Sequence, residues 1–214
     1  MIAEPMTLLT DYILAGVCGG LGYLLFRSRK PQRARTLWAA AFFALALTAL
    51  LGGSFHGFQN HLGDARSIGL WKATVLSAGI VSFAMLCGSA FAATHGALRK
   101  AVIAAGAIKL LLYEGWMLGQ DDFAWVIADT GSALGVVAAL HLWSAFFSGD
   151  RASRWMLAGV ALSVAAAAVQ ASGIDLHRHF NHNDLYHVIQ IAAMIFFYRG
   201  ARTLEDFDRA REPS

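Results

Sequence analysis

Apolar runs of about 20 residues recur along the whole chain, each long enough to cross a hydrocarbon core of roughly 30 Å. A backbone facing lipid has no water to bond, so such runs must satisfy their own N–H and C=O groups as helices. Seven can be drawn, over Thr7–Phe26, Thr36–Phe58, Ser67–Thr94, Ala101–Leu118, Phe123–Phe147, Trp155–Ser172 and Asp184–Tyr198. The composition fits: 57% of the 214 residues are hydrophobic and 14% charged, where soluble domains carry about 25% charge. The expectation is an all-α integral membrane bundle of seven transmembrane helices over residues 1–199, with a short charged tail over 200–214. The first run lacks a basic leader and reads as a retained helix. The tail, where Glu205, Asp206 and Asp208 mix with arginines, reads as a solvated helical extension of span seven. Cys18 and Cys87 both lie inside apolar runs and read as buried free thiols.

The loops set an orientation. The first, from Arg27 to Arg35, holds five basic residues; Arg99, Lys100, Arg151 and Arg154 follow in alternate loops, and four arginines lie in the tail. Thirteen basic residues thus fall on one side, against Arg66 and Arg178 on the other. By the positive-inside rule the basic side is cytoplasmic, the N-terminus outside and the C-terminus inside. This distribution accounts for the net charge of +3 without a nucleic-acid surface. The brief loops fit a bacterial inner membrane, with membrane lipids as partners.

Depth then sorts the polar residues. Six of eight histidines belong to the outer side: His56 at the end of span two, His187 in the first turns of span seven, and His61, His177, His179 and His182 in loops. Asp11, Lys72, Glu114, Asp129 and Gln170 occupy the outer portions of five spans. Ionisable groups in a bilayer are costly and face the bundle interior, so these point to an outward-opening polar pocket. Lys72 is expected to snorkel outward or to pair with Asp129 or Asp11. Lys109 is expected to pair within the bundle, and His95 and His141 to pack on the cytoplasmic side.

Histidines at helix ends raise the question of a metal. A catalytic zinc takes three protein ligands and leaves one position to water, which it activates for attack on an ester or amide. His56 and His187 are the best ligand pair. The third could be Asp184, which shares a helical face with His187, or His182, which would point away from it. Asn183 or Asp184 could equally cap span seven. Ser54 and Asp129 are the candidates to orient water or an oxyanion.

Ser54-Phe55-His56 closing span two, and Asn183-Asp184-Leu185-Tyr186-His187 opening span seven, resemble motifs of the CREST superfamily, which includes alkaline ceramidases and the progestin and adipoQ receptors. The resemblance implies seven spans with the N-terminus outside, and a zinc site built from a histidine in span two, a His-x-x-x-His in span seven and an aspartate in span three. His56 matches the first of these ligands and His187 the last; Asn183 stands where the first histidine of the pair belongs, and Ser54 is two residues from His56 instead of four. Span three offers Asp64 just outside it. The reading that follows is a zinc-dependent hydrolase of a lipid amide or ester. The alternatives are a non-catalytic seven-span receptor or binding protein and a small ion-coupled transporter using Asp11, Lys72 and Asp129.

Overall fold

The computed structural model describes residues 2–28, 32–178 and 180–208 of the chain. Arg29 and Lys30 of the first loop, His179, and Arg209 and Arg211 of the tail lie outside the described residues. Among those described, seven helices follow one another: α1 Pro5–Phe26, α2 Arg33–Leu62, α3 Asp64–Ala93, α4 Gly96–Met117, α5 Ala124–Phe147, α6 Arg151–Ser172 and α7 His182–Ala201. Five of them, α1, α2, α3, α5 and α6, are long and apolar enough to cross a membrane. Polar residues set the other two apart: α4 carries Arg99, Lys100, Lys109 and Glu114, and α7 opens on a polar turn.

Six helices form a ring in which α1, α2, α3, α5, α6 and α7 pack in that order and α7 returns to α1. The fourth helix lies outside it, against α3 and barely touching α5. At 30 residues each, α2 and α3 are about 45 Å long at 1.5 Å per residue and overrun the hydrocarbon core. The boundaries follow local chemistry. Gly63, at φ +73°, makes the sharp turn between α2 and α3. Asp150 caps α6, its carboxylate accepting from the N–H groups of Ala152 and Ser153. For α7 the cap is Asn181, not Asn183 or Asp184: Asn181 accepts from the backbone N–H of Asn183 and Asp184, and Asp184 accepts from the N–H of Asn181. This is a capping box, which needs its acid three residues after the cap.

The core centres on Trp38, stacked on Phe197 at 5.0 Å between ring centroids, with Phe42 beside it. Gly88 lets α3 approach that indole; a Cβ there would stand 2.6 Å from Trp38 Cδ1.

Lys72 and Lys109 both find partners in neighbouring elements. Lys72 pairs with neither Asp129 nor Asp11. Its ammonium donates to the carbonyls of Met117 and Gln120, at 2.8 and 2.6 Å, and to Asp121 at 2.7 Å. It thereby satisfies carbonyls that the end of α4 leaves without helical partners. Lys109 pairs with Asp129 across α4 and α5.

The described part of the tail is not a solvated helix. After Ala201 the chain turns back beneath the bundle and buries Leu204. Asp206 accepts from the backbone N–H of Arg33 at 3.0 Å and of Ala34 at 2.8 Å, so it caps α2 from the far end of the sequence. Arg35 donates to the Leu204 carbonyl, Phe207 stacks on His95, and Asp208 pairs with Arg99. The free N–H groups and the dipole at the start of α2 account for the carboxylate's position. Asp206→Ala should lower unfolding stability by about 1 kcal/mol, the usual size of a lost cap. A denaturation series in detergent checks this, with Glu205→Ala, an exposed neighbouring carboxylate, expected to change nothing.

Candidate functional site

At the end of the bundle opposite the tail, α1, α2, α3, α6 and α7 border a cavity of about 220 Å³ lined by Asp11, His56, Trp71, Gln170, Asn183 and His187, among others. Its centre is a contact between α1 and α7. His187 places Nδ1 3.0 Å from Thr10 Oγ1 and Nε2 3.2 Å from Asp11 Oδ1. The Thr10 hydroxyl already donates to the Thr7 carbonyl. It therefore accepts from His187, which assigns a proton to Nδ1. The pair is a buried acid–base dyad, and Asp11, at 5% exposure, forms part of the cavity wall.

His56 faces the same cavity from α2. Its Nδ1 lies 3.2 Å from Glu4 Oε2, outside hydrogen-bonding geometry, while Glu4 also accepts from Gln59. Glu4 is held there by backbone pairing of Ala3 and Glu4 with Gly57 and His56. Across the cavity, Gln170 donates to Asn183 at 2.6 Å.

The remaining candidates stand elsewhere. Ser54 donates to the Leu50 carbonyl and accepts from the Tyr12 hydroxyl on the seam between α1 and α2. Asp129 is held by Lys109, away from the histidines. His182 points into the loop, 2.9 Å from Asp175; its hydrogen bond holds that exposed carboxyl below the usual carboxylate range. Asp184 is buried in the capping box of α7. Glu4 and Thr10 carried no signal in the sequence. One precedes the first span, and the other is a threonine among many.

The sequence profile of DUF6962, a family of unknown function, matches residues 6–206. The chain belongs to this family. Searches of curated proteins and of solved structures returned no match.

The residues of this DUF6962 protein do not fit the zinc site that the CREST resemblance implies. No three His, Cys, Asp or Glu side chains gather as metal ligands among the described residues. Both ring nitrogens of His187 are engaged, and His182 faces away. What the protein does have is an apolar continuation of the cavity. Leu45, Thr48, Thr74, Phe123 and Tyr186 line both the polar chamber and a second, apolar one that runs inward to Trp38 and Met194. Val126, Thr130, Ser163 and Gln190 are shared in turn with a fissure between α5 and α6, where Gly131 and Val164 are exposed.

The dyad holds α1 to α7 and can be tested as a unit. His187→Leu should destabilise the protein by about 3 kcal/mol, because it leaves Asp11 buried without a partner. Asp11→Leu combined with His187→Leu should recover much of that loss, since no orphaned polar group remains. A double-mutant cycle on unfolding in detergent measures the coupling.

Proposed function

We propose that this DUF6962 protein spans the membrane seven times, N-terminus outside, and binds a lipid-like amphiphile without chemically changing it. The polar head lies against Asp11, His56 and His187, and the chain runs along the apolar chamber. Support for seven spans comes from the ring: α7 sits between α1 and α6 and shares their depth. The Lys109 charge of α4 is met by Asp129 on α5. The thirteen-to-two basic split supports the orientation, with the tail in the cytoplasm. Short loops suit a bacterial inner membrane.

One observation carries the binding reading: a polar chamber, an apolar chamber and a fissure between α5 and α6 share their walls in sequence. That arrangement suits a ligand with one polar end that arrives sideways from the bilayer. Gly131 lines the fissure, and a Cβ there would meet nothing within 4 Å. Gly131→Trp should therefore close the entrance without disturbing the fold. The expected result is an unchanged thermal midpoint and a loss of co-purifying single-chain lipid, counted by lipid mass spectrometry. Equal lipid in wild type and variant would remove the lateral-entry reading.

Hydrolysis is the second reading, and the dyad favours it. A buried carboxyl on the cavity wall with a histidine behind it can take a proton from water and return one to a leaving group. Elemental analysis separates the two metal cases: the expected result is no stoichiometric zinc. About one zinc per chain, lost in both His56→Ala and His187→Ala, would restore the metal-dependent form. Turnover of a fluorescent lipid amide or ester that disappears in Asp11→Asn would make the protein an enzyme.

A further inference from the structure

Four arginines gather where α6 begins and α7 ends. Arg151 and Arg154 lie in the first turn of α6, Arg199 and Arg202 close α7, and all four are exposed. The two helices run antiparallel, with Gly200 against Ala152 and Met156, and Phe197 against Gly159. Trp155 spans the seam between them: its ring lies 5.6 Å from that of Phe196, and the Arg199 guanidinium sits 5.0 Å over it. Among the described residues, that ring is the sole partner any of the four guanidiniums has.

Other arginines at this end of the bundle are spent, Arg35 on the Leu204 carbonyl and Arg99 on Thr94 and Asp208. The carboxylates nearest the four in sequence do not answer them. Asp150 uses both oxygens on the N–H groups of α6 and on the Ser153 hydroxyl, and Glu205 lines a recess beneath the bundle with Ser144 and Ser148. Each arginine pair is spaced i, i+3, where like charges repel, and Arg151 and Arg154 stand at the positive end of the α6 dipole. Four cations held together at that cost call for an anion. Depth says which kind. The apolar run of α6 begins at Trp155 and that of α7 ends at Tyr198, so the guanidiniums stand just past the apolar runs, level with lipid headgroups, with an interface tryptophan between them.

We propose that the α6–α7 seam binds an anionic phospholipid whose headgroup carries two phosphates, as in cardiolipin. One phosphate lies against Arg151 and Arg154, the other against Arg199 and Arg202, and the acyl chains descend over Trp155 and Phe196. Guanidinium forks match phosphate oxygens, and basic clusters between membrane helices suit such headgroups. Two arginine pairs on two helices fit two phosphates better than one. The site is at the opposite end of the bundle from the polar chamber, and it rests on the helices lying in a membrane, not on the amphiphile reading.

The test titrates the full-length protein in detergent with tetraoleoyl cardiolipin, dioleoyl phosphatidylglycerol and dioleoyl phosphatidylcholine, with bound lipid counted by native mass spectrometry. Cardiolipin should bind about tenfold or more tighter than phosphatidylglycerol, and phosphatidylcholine weakest, since each arginine at a phosphate contributes about fivefold. Arg154→Gln and Arg202→Gln should each weaken cardiolipin about fivefold, and the double variant about twentyfold. The lipid-free thermal midpoint should not move, because neither guanidinium holds another part of the chain. Lys100→Gln removes the same charge from the same end of the protein and should leave binding unchanged. Phosphatidylglycerol binding as tightly as cardiolipin would overturn the two-phosphate headgroup. Equal losses in Lys100→Gln would overturn the seam and leave only a diffuse basic surface. Displacement of bound cardiolipin by an equal concentration of inorganic pyrophosphate would overturn the lipid in favour of a soluble diphosphate.

Discussion

One polar contact closes the ring: His187 on α7 is gripped by Thr10 and Asp11 on α1. Helices in a bilayer gain little from burying apolar surface, since lipid tails are as apolar as their side chains. Close packing at small residues and internal hydrogen bonds must hold them. The first and last helices are joined by no loop, so the contact between them decides whether the six helices make a closed bundle or an open sheet of helices. The contact also fixes the chamber, because Asp11 and His187 are its wall. The closure of the ring and the shape of the chamber therefore rest on the same two side chains.

The rest of the polar inventory follows the same constraint. Lys72, Lys109, Asp129 and Asp206 look like isolated charges in the sequence. In the structure each is spent on a neighbour: a helix end, an opposite charge, or the first turn of α2.

The helices were legible because length and hydropathy alone dictate them, and the seven runs drawn from the sequence lie within a few residues of α1 to α7. The common depth of Asp11, His56 and His187 could be read from the same spans. Partnership could not. Whether Lys72 reaches an aspartate in another span or the carbonyls at the end of α4 depends on which helices are neighbours, and α4 stands outside the ring for reasons no single-span pattern carries. Ser54 and Asp129 were attractive for their residue types and depth, yet each faces a seam away from the chamber. His182, expected to point away from His187, lies at the first position of α7 and turns toward Asp175. The tail misled because a run of mixed charge reads as solvent-exposed unless something upstream needs it.

The cap on α2 has a consequence in time. Arg33 receives its carboxylate partner from a residue 173 positions later. When the chain is made from its N-terminus, α2 enters the membrane with the start of its first turn unsatisfied except by water. That turn stays open through the making of every later helix. Asp206 arrives only after all seven described helices have been made, and docking it fastens the last described stretch across the start of the second helix. A chain cut short before Asp206 can therefore assemble its ring but not seal the start of α2.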